Sequence, residues 1–410
     1  MLYIVPDYYE EFACTADGCE DTCCAGWKIM IDRRSLIRYG KVKGPFRKQL
    51  HKAICWLDGS FRQSKERRCA CLDEQNLCEI YKNLGGESLC RTCRLYPRHI
   101  EEFEGVREIT LSVSCPEVAR ILLNKKEPVR FLTCETDKTE EYEEFDPFLY
   151  SMLVDARSTM IQILQNRELS VAVRAGLILG LSHDIQSRVD RERIFACEEL
   201  FERYQRPEAF LYVEKALQEY QNCLKRRHYL EWQMLEELHF LELLRSQWQS
   251  LLLESQAILY GQGSDGFRSI FEEFDEWMAH HMPDWEIKCE QLLVYFIFTY
   301  FCGAVYDGRV YSKVQMAVSS VRCIYQLMAA RWKKNEKELQ AEEIVELVYR
   351  YSREVEHSDQ NLEQMERMME EHNWLAKACE KKRLKKGEGK EGERKEERKR
   401  RKKEKKKKKK

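Results

Sequence analysis

Cysteine crowds the first third of this chain, and its distribution constrains the fold more than any other feature. The sequence has 18 cysteines in 410 residues, and two thirds of them precede residue 135. Ten follow one another closely: Cys14, Cys19, Cys23, Cys24, Cys69, Cys71, Cys78, Cys90, Cys93 and Cys115. At this density thiols form a framework. Because chain-closure entropy grows slowly with loop length, thiolates from distant segments can meet at one centre.

Two kinds of framework use cysteine in this way: metal or iron–sulfur sites, and disulfide bridges. The first twelve residues, MLYIVPDYYEEF, have neither the basic n-region nor the apolar h-region of a secretory signal. Disulfides persist mainly in oxidising compartments, so this start favours metal ligation in a cytoplasmic protein.

We predict nine metal ligands: Cys14, Cys19, Cys23, Cys24, Cys71, Cys78, Cys90, Cys93 and Cys115. A tetrahedral zinc ion or a cubane cluster takes four thiolates, so the candidates exceed one site. The sequence is compatible with two metal centres and also with one centre accompanied by structural thiols. The expected group is an iron–sulfur cluster of the 4Fe–4S type, with zinc as the alternative.

Short elements separate these cysteines. Trp27–Asp32 (WKIMID) and Val106–Val113 (VREITLSV) alternate like strands. The sequence Ser-Cys-Pro-Glu from Ser114 to Glu117 predicts a helix opened by a capping box, with Ser114 as N-cap. Cys115 would then lie at a helix N-terminus, where the dipole lowers a thiol pKa.

The remainder of the chain shows helical periodicity. The predicted helices cover residues 148–165, 170–187, 190–204, 208–226, 228–258, 267–281, 285–305, 310–333, 337–356 and 359–378. The sequence therefore predicts a mainly α protein, with a cysteine-rich metal-binding domain (1–135) that carries short strands, an acidic linker (136–146) and an all-helical domain (147–380). The uncharged run Leu292–Tyr306 is too short to cross a bilayer as a helix and reads as a core helix.

Charge is unevenly distributed. Residues 381–410 contain 20 Lys and Arg against six Glu, which leaves 49 basic and 64 acidic residues in the first 380. The basic tail has no aromatic residue and is predicted to be disordered. It could bind nucleic acid or another anionic surface, or serve as a solvated appendage. We expect no basic patch with interleaved aromatics in the folded part, and no nucleic-acid motif is present.

Several common enzyme signatures are missing from the sequence. There is no dinucleotide-binding G-x-G-x-x-G unit, no P-loop, no G-x-S-x-G elbow and no C-x3-C-x2-C spacing of a radical enzyme that uses S-adenosylmethionine. His357 lies among acidic residues in Glu354–Ser358 (EVEHS), which predicts a raised pKa for its imidazole.

Several segments together resemble the flagellin lysine-N-methylase family and the broader group of proteins with a CxxCxxCC-type cysteine cluster. The matching segments are Phe12–Asp32, Cys71–Asp73, Leu77–Tyr81, Leu89–Arg98, Leu111–Ala119, Glu290–Phe296, Ala304–Asp307 and Tyr351–Ser358. The resemblance covers nearly the whole chain from residue 3 to about 376, and the cysteine segment is its most specific part. The lysine-rich tail departs from the pattern.

The resemblance implies methyl transfer to the ε-amines of surface lysines on flagellin in the cytoplasm, with S-adenosylmethionine as donor. Catalytic candidates within family-like segments are Tyr306, Asp307 and His357, together with Glu290, Tyr295 and Glu356. An acidic body suits a lysine-bearing substrate through long-range attraction. The alternatives are a non-catalytic iron- or zinc-binding module that docks a protein partner, and a nucleic-acid-associated protein anchored by its tail.

Overall fold

The computed structural model of the chain describes residues 1–137 and 143–372. Residues Met1–Glu366 form one compact unit, and a second unit begins at Arg367. The predicted tail (381–410) and part of the predicted acidic linker lie outside the described residues. The division into a cysteine-rich and a helical domain stays a prediction.

All strands of the described residues lie in the first 135 positions. They are β1 (Leu2–Pro6), β2 (Ile54–Cys55), β3 (Ser60–Phe61), β4 (Arg98–Phe103), β5 (Val106–Leu111) and β6 (Phe131–Glu135). Four form a sheet in the order β4-β5-β1-β6, in which β1 runs parallel to β5 and the other pairs are antiparallel. The strands β2 and β3 form a separate hairpin.

Helices make up most of the structure. Those of the first 135 residues are α1 (Arg33–Gly40), α2 (Arg47–Ala53), α3 (Glu79–Leu84), α4 (Arg91–Leu95) and α5 (Pro116–Asn124). Those that follow are α6 (Pro147–Leu164), α7 (Val171–Val189), α8 (Glu198–Arg203), α9 (Pro207–Asn222), α10 (Leu224–Glu237), α11 (Ser246–Tyr260), α12 (Gly263–His281), α13 (Trp285–Tyr300), α14 (Ala304–Asp307), α15 (Val310–Lys334), α16 (Ala341–Glu356) and α17 (Asp359–His372). The predicted mainly helical fold with short N-terminal strands is confirmed.

Local capping explains where several helices begin. Asp146 accepts hydrogen bonds from the first amides of α6, and Pro147 takes the first helical position, where no amide proton is needed. Ser170 caps α7 in the same way. At the start of α16, Gln340 and Glu343 form a reciprocal capping box.

The helices α13 and α15 form the centre of the core. α15 is buried on nearly all faces and packs against α7, α11, α13 and α16. The segment Trp285–Asp307 is long and apolar enough to cross a membrane by length and composition, but 83% of its apolar window is buried inside the structure. This burial fits the predicted core helix.

The prediction of one helix over residues 228–258 is wrong. The chain leaves the helix after Glu237 and resumes it at Ser246. In between, the amide of Glu242 donates to Asn361 Oδ1 at 2.7 Å, and the amide of Leu244 donates to Glu354 Oε2 at 2.9 Å. Side chains from a distant part of the chain therefore replace the helical carbonyls as acceptors.

Two predictions in the cysteine-rich part also need correction. Residues Trp27–Asp32 form only an isolated bridge, Met30 to Ser60, and not a strand. The N-cap of α5 is Cys115 and not Ser114, whose hydroxyl bonds other side chains instead of a helix amide. The strand predicted over 106–113 is confirmed as β5.

Candidate functional site

Six cysteines that are far apart in sequence line one small pocket. They are Cys24, Cys69, Cys71, Cys78, Cys90 and Cys93. Apolar and aromatic side chains complete the wall, among them Tyr39 of α1 and Phe61 of β3. The pocket therefore sits in the small apolar core that α1, α2 and the β2–β3 hairpin form in the cysteine-rich part.

Regular local structure fixes the positions of these cysteines. The amide of Cys69 donates a hydrogen bond to the carbonyl of Cys24 at 2.9 Å. This bond joins two segments that are 45 residues apart in the sequence. Cys78 and Cys90 are the N-cap residues of α3 and α4, and Cys93 lies within the single turn of α4. Backbone hydrogen bonds thus bring the thiols of distant segments to the same pocket.

The pocket thiols interact in pairs. Cys93 donates a hydrogen bond to Cys90, which lowers the pKa of Cys90 and raises that of Cys93. Cys71 donates to Cys69, and this bond raises the pKa of Cys71. Burial raises the pKa of Cys78 to about 11. The two sulfurs of each pair, Cys69 with Cys71 and Cys90 with Cys93, therefore lie within hydrogen-bonding distance of each other.

Cys24 is the pocket thiol that ionises most readily among those with a stated value. A hydrogen bond from the Cys23 thiol lowers the pKa of Cys24 to about 7, and Thr22 and nearby guanidinium groups act in the same direction. Thiolate is the form that binds metal.

The six thiols of the pocket are of the type that binds zinc and iron–sulfur clusters, but their sulfurs are not arranged around a common metal position. Within residues 1–137 and 143–372, no three Cys, His, Asp or Glu side chains are arranged as a metal site. Zinc and cubane iron–sulfur clusters nevertheless need four thiolates, and the pocket offers six thiols. The metal centre stays a prediction, and the thiols that would hold it are those that line the pocket.

The predicted ligand set divides between the pocket and its surroundings. Five predicted ligands line the pocket: Cys24, Cys71, Cys78, Cys90 and Cys93. Four do not: Cys14, which is exposed, and Cys19, Cys23 and Cys115. Cys69 lines the pocket but was not among the predicted ligands, although its Cys-x-Cys spacing to Cys71 was a visible signal. All cysteines of the described residues are free thiols.

The expectation of a lowered pKa for Cys115 is wrong. Burial raises the pKa of Cys115 to about 11, while the amides of Val118 and Glu117 at the start of α5 lower it. Removal of the thiolate from water therefore outweighs the favourable field of the helix N-terminus.

Two arginines hold the segment that leads into Cys23 and Cys24. Arg245 donates to Asp21 Oδ1 at 2.6 Å and to the carbonyls of Thr22 and Ala25 at 3.2 and 3.1 Å. Arg353 of α16 donates to the carbonyl of Asp21 at 2.7 Å, and its Nη1 lies 2.7 Å from Asp21 Oδ2. Neither arginine stands out in the sequence, because their partners are hundreds of residues away.

His357 lies beside this segment, directly after α16. Its Nε2 is 2.8 Å from Ser114 Oγ, and its ring packs against Trp27 and Tyr96 at centroid distances of 5.1 and 5.5 Å. Burial lowers the pKa of His357 to about 3, and the nearby Arg353 and a second guanidinium group add to the effect. The predicted increase in its pKa is wrong, and the imidazole is neutral at pH 7.

The acidic neighbour Glu356 does not reach His357 because other groups bind its carboxylate. Tyr295, Tyr300 and Ser352 donate hydrogen bonds to Glu356, with the Tyr300 bond at 2.6 Å. Burial raises the pKa of Glu356. The structure thus brings together two of the predicted candidates, Tyr295 and Glu356, in a buried polar network.

Replacement of His357 by glutamine is expected to reduce the loss of stability in acid. A histidine in the unfolded chain titrates near pH 6.5, whereas the folded His357 has a pKa of about 3. The unfolded state therefore binds the proton first, so stability is complete above about pH 6.5 and falls as pH decreases toward 3. Urea unfolding at pH 7 and pH 5 should show a loss about 2 kcal/mol smaller in the variant.

Because glutamine can still hydrogen-bond Ser114 without titrating, the comparison isolates the proton. The groups that face the imidazole are Tyr96, Trp27, Ser114 and the two guanidinium groups of Arg353 and Arg245. An identical loss in the two proteins would contradict the assignment.

The other two catalytic candidates lie in different surroundings. Tyr306, 39% exposed, donates to the carbonyl of Glu102 at 3.2 Å. Asp307 accepts a hydrogen bond from Lys313 at 2.9 Å. Neither contact is shared with His357. The structure therefore does not bring the three residues together, and their catalytic role stays a prediction. Glu290 is fully buried and bonded to Arg167 and Arg174, as expected of a structural ion pair.

Comparison with known proteins supports the resemblance. The model of the FliB lysine N-methylase C-terminal domain matches residues 157–378, more than half of the chain. A lysine-N-methylase from Salmonella typhimurium is 31% identical over 127 residues, covering 29% of this chain and 32% of that protein. The flagellar biosynthetic protein FliU from Salmonella muenchen is 32% identical over 127 residues, covering 29% of this chain and 75% of FliU.

The aligned region spans about a third of the length of the lysine-N-methylases that the chain matches. No solved structure is significantly similar to the chain. Since the family model covers more than half of the sequence, and the match to FliU covers three quarters of that protein, the chain belongs to the FliB lysine N-methylase family.

Proposed function

We propose that this protein transfers methyl groups to the ε-amines of surface lysines on flagellin, in the cytoplasm, with S-adenosylmethionine as donor. The proposal includes a cysteine-ligated centre, an iron–sulfur cluster of the 4Fe–4S type or, as the alternative, zinc. The observation that carries it is membership of the FliB lysine N-methylase family. The thiol pocket supports the second part, because it gathers more thiols than one centre needs.

Methyl transfer to an amine places few demands on the protein. S-adenosylmethionine supplies an electrophilic methyl group, a new N–C bond forms as the S–C bond breaks, and the amine loses a proton. The protein must align a neutral amine with the methyl carbon and accept the proton. With a pKa of about 3, the His357 imidazole is a weak base at pH 7, and Asp307 already binds the ammonium group of Lys313, so neither side chain is a ready proton acceptor as the fold holds it.

The charge of the chain favours a lysine-bearing substrate. The first 380 residues carry 64 acidic and 49 basic side chains. A net negative body attracts cationic side chains over distances of about a Debye length, roughly 10 Å at 0.1 M salt. Added salt should therefore reduce the rate of encounter.

In the proposed centre, four of the six pocket thiols would hold the metal group. They belong to segments around residues 24, 70, 78 and 91. Among the described residues, no disulfide joins these segments. A bound metal group would tie these segments together and contribute to folding. Arg245 and Arg353 would keep the Cys23–Cys24 segment in place beside it.

The test is mass spectrometry of flagellin that is co-expressed with this protein. Flagellin lysines should gain one or more methyl groups in its presence and none in its absence. Purified protein with S-adenosylmethionine labelled in the methyl group should transfer the label to flagellin. Unmodified lysines in the presence of soluble, metal-loaded protein would refute the methylase proposal.

The same experiment distinguishes the second candidate function. A non-catalytic metal-binding module would co-purify with flagellin or another protein and would leave its lysines unmodified. Transfer of the labelled methyl group to flagellin excludes this alternative.

A further inference from the structure

An exposed basic surface lies on the cysteine-rich part of an otherwise acidic body. The segment 33–52, which covers α1 and α2, contains eight Lys and Arg and no Asp or Glu. All eight side chains are exposed: Arg33, Arg34, Arg38, Lys41, Lys43, Arg47, Lys48 and Lys52. The net negative charge of the body does not reveal this local excess of cations.

The chain leaves these charges unneutralised. None of the eight forms an ion pair within the part of the chain that the structure describes. Arg38 donates to the backbone carbonyls of Ser88 and Leu89. Several cations on other surfaces are paired, as Lys334 is with Glu254 and Lys337 with Glu273. Unpaired like charges repel one another, so this surface suits an external anion.

An apolar tip stands on the same surface. Leu57, in the turn between β2 and β3, is fully exposed, and its neighbour Trp56 is 45% exposed. The Trp56 indole donates to the carbonyl of His51 in α2 at 3.2 Å and packs against the His51 ring. A side chain at Gly40 would lie 3.9 Å from the Trp56 ring. The tip is thus packed against the ends of both basic helices.

The chemistry of the apolar tip distinguishes two anionic partners, a nucleic acid and an anionic bilayer surface. Leucine has no group that hydrogen-bonds phosphates or base edges, and the Trp56 nitrogen is already occupied by His51. The exposed face of Trp56 can stack on an unpaired base, but Leu57, the fully exposed group of the tip, offers a nucleic acid neither a hydrogen bond nor a stacking face. A bilayer surface accommodates a projecting apolar group, favours tryptophan at its interface and attracts Lys and Arg through anionic headgroups.

We propose that the basic surface of α1 and α2, with the Trp56–Leu57 tip, docks the protein on a membrane surface rich in anionic lipids. The tip enters the headgroup region, and the surrounding cations contact the phosphates. This docking does not depend on the proposed methylation. It concerns peripheral attachment and requires no membrane-spanning segment.

The test is sedimentation of the full-length protein with vesicles made of equal parts phosphatidylglycerol and phosphatidylcholine. The parent should bind these vesicles and should not bind pure phosphatidylcholine. Leu57→Ser should weaken the partition coefficient roughly tenfold, because an apolar side chain no longer enters the interface. Lys43→Ala combined with Lys48→Ala should weaken it roughly 25-fold, at about fivefold for each charge.

The matched control is Lys334→Ala combined with Lys337→Ala, which removes two charges from a different surface. All variants keep the basic tail, so the tail contributes the same background to each. The control should bind within about twofold of the parent. An equal loss in the control, or unchanged binding of Leu57→Ser, would overturn the proposal. Tight binding of a DNA duplex that Leu57→Ser does not alter, without vesicle binding, would identify a nucleic-acid site instead and would also overturn it.

Discussion

Alanine at Cys71, Cys78 or Cys93 is expected to abolish binding of the proposed metal group and to destabilise the protein strongly. These three thiols line the pocket and come from separate segments. Binding of a structural zinc ion contributes on the order of 10 kcal/mol of folding free energy, and loss of one ligand forfeits much of it. Metal analysis after anaerobic purification should show little iron or zinc in the variants. Melting temperatures should fall in parallel.

Cysteines outside the pocket provide the matched controls. Cys289 and Cys323 are buried in α13 and α15, and their replacement by alanine leaves only a small cavity. Cys14 is exposed and does not line the pocket, although it is one of the nine predicted ligands. All three variants should keep their metal. Equal metal loss from Cys289→Ala or Cys323→Ala would show that the metal does not depend on the pocket.

The sequence predicted best what local rules determine. Long helices such as α7 and α15 lie close to their predicted positions because the spacing of their apolar residues is a local property of the sequence. The helix expected over 228–258 fails because Asn361 and Glu354 capture two of its amides. Such competition from a distant segment leaves no local mark in the sequence.

The same distinction applies to the candidate site. The density of cysteines predicted a cluster of thiols. Five of the nine predicted ligands line the pocket. Spacing alone could not show that Cys24 lines the pocket and that its neighbour Cys23 does not. Nor could it show that Arg245 and Arg353 bind the Asp21 segment.

The pKa of His357 shows why charge in the sequence misleads. Two glutamates, Glu354 and Glu356, precede His357 closely in the sequence, and their carboxylates predicted a raised pKa for its imidazole. In the fold, Glu356 is bound by two tyrosines, and burial dominates the imidazole. Sequence proximity on a helix does not give spatial proximity, because adjacent residues point about 100° apart.

Methionine in place of Arg353 is expected to lower the free energy of unfolding by about 3 kcal/mol or more. The side chain of Arg353 is only 3% exposed and satisfies the carbonyls of Asp21 and Ser114 as well as the Asp21 carboxylate. Methionine fills a similar volume but leaves the carbonyls without donors, and each buried unsatisfied group costs about 1–3 kcal/mol. Lysine should rescue little, because one ammonium group cannot reproduce the planar fork of a guanidinium.

Arg350→Met is the matched control for this prediction. Arg350 lies one turn earlier on α16, and its ion pair with Glu346 is 36% and 26% exposed. Such an exposed pair contributes at most about 1 kcal/mol. Arg353→Met should in addition reduce metal retention under chelator, since Asp21 is two residues before Cys23 and a free Asp21 segment holds the cysteines less firmly. Urea unfolding and chelator titration of both variants provide the measurement. Equal stability and equal metal retention in the two variants would mean that α16 does not hold the cysteine segment, and that the thiol pocket forms independently of the helical part of the chain.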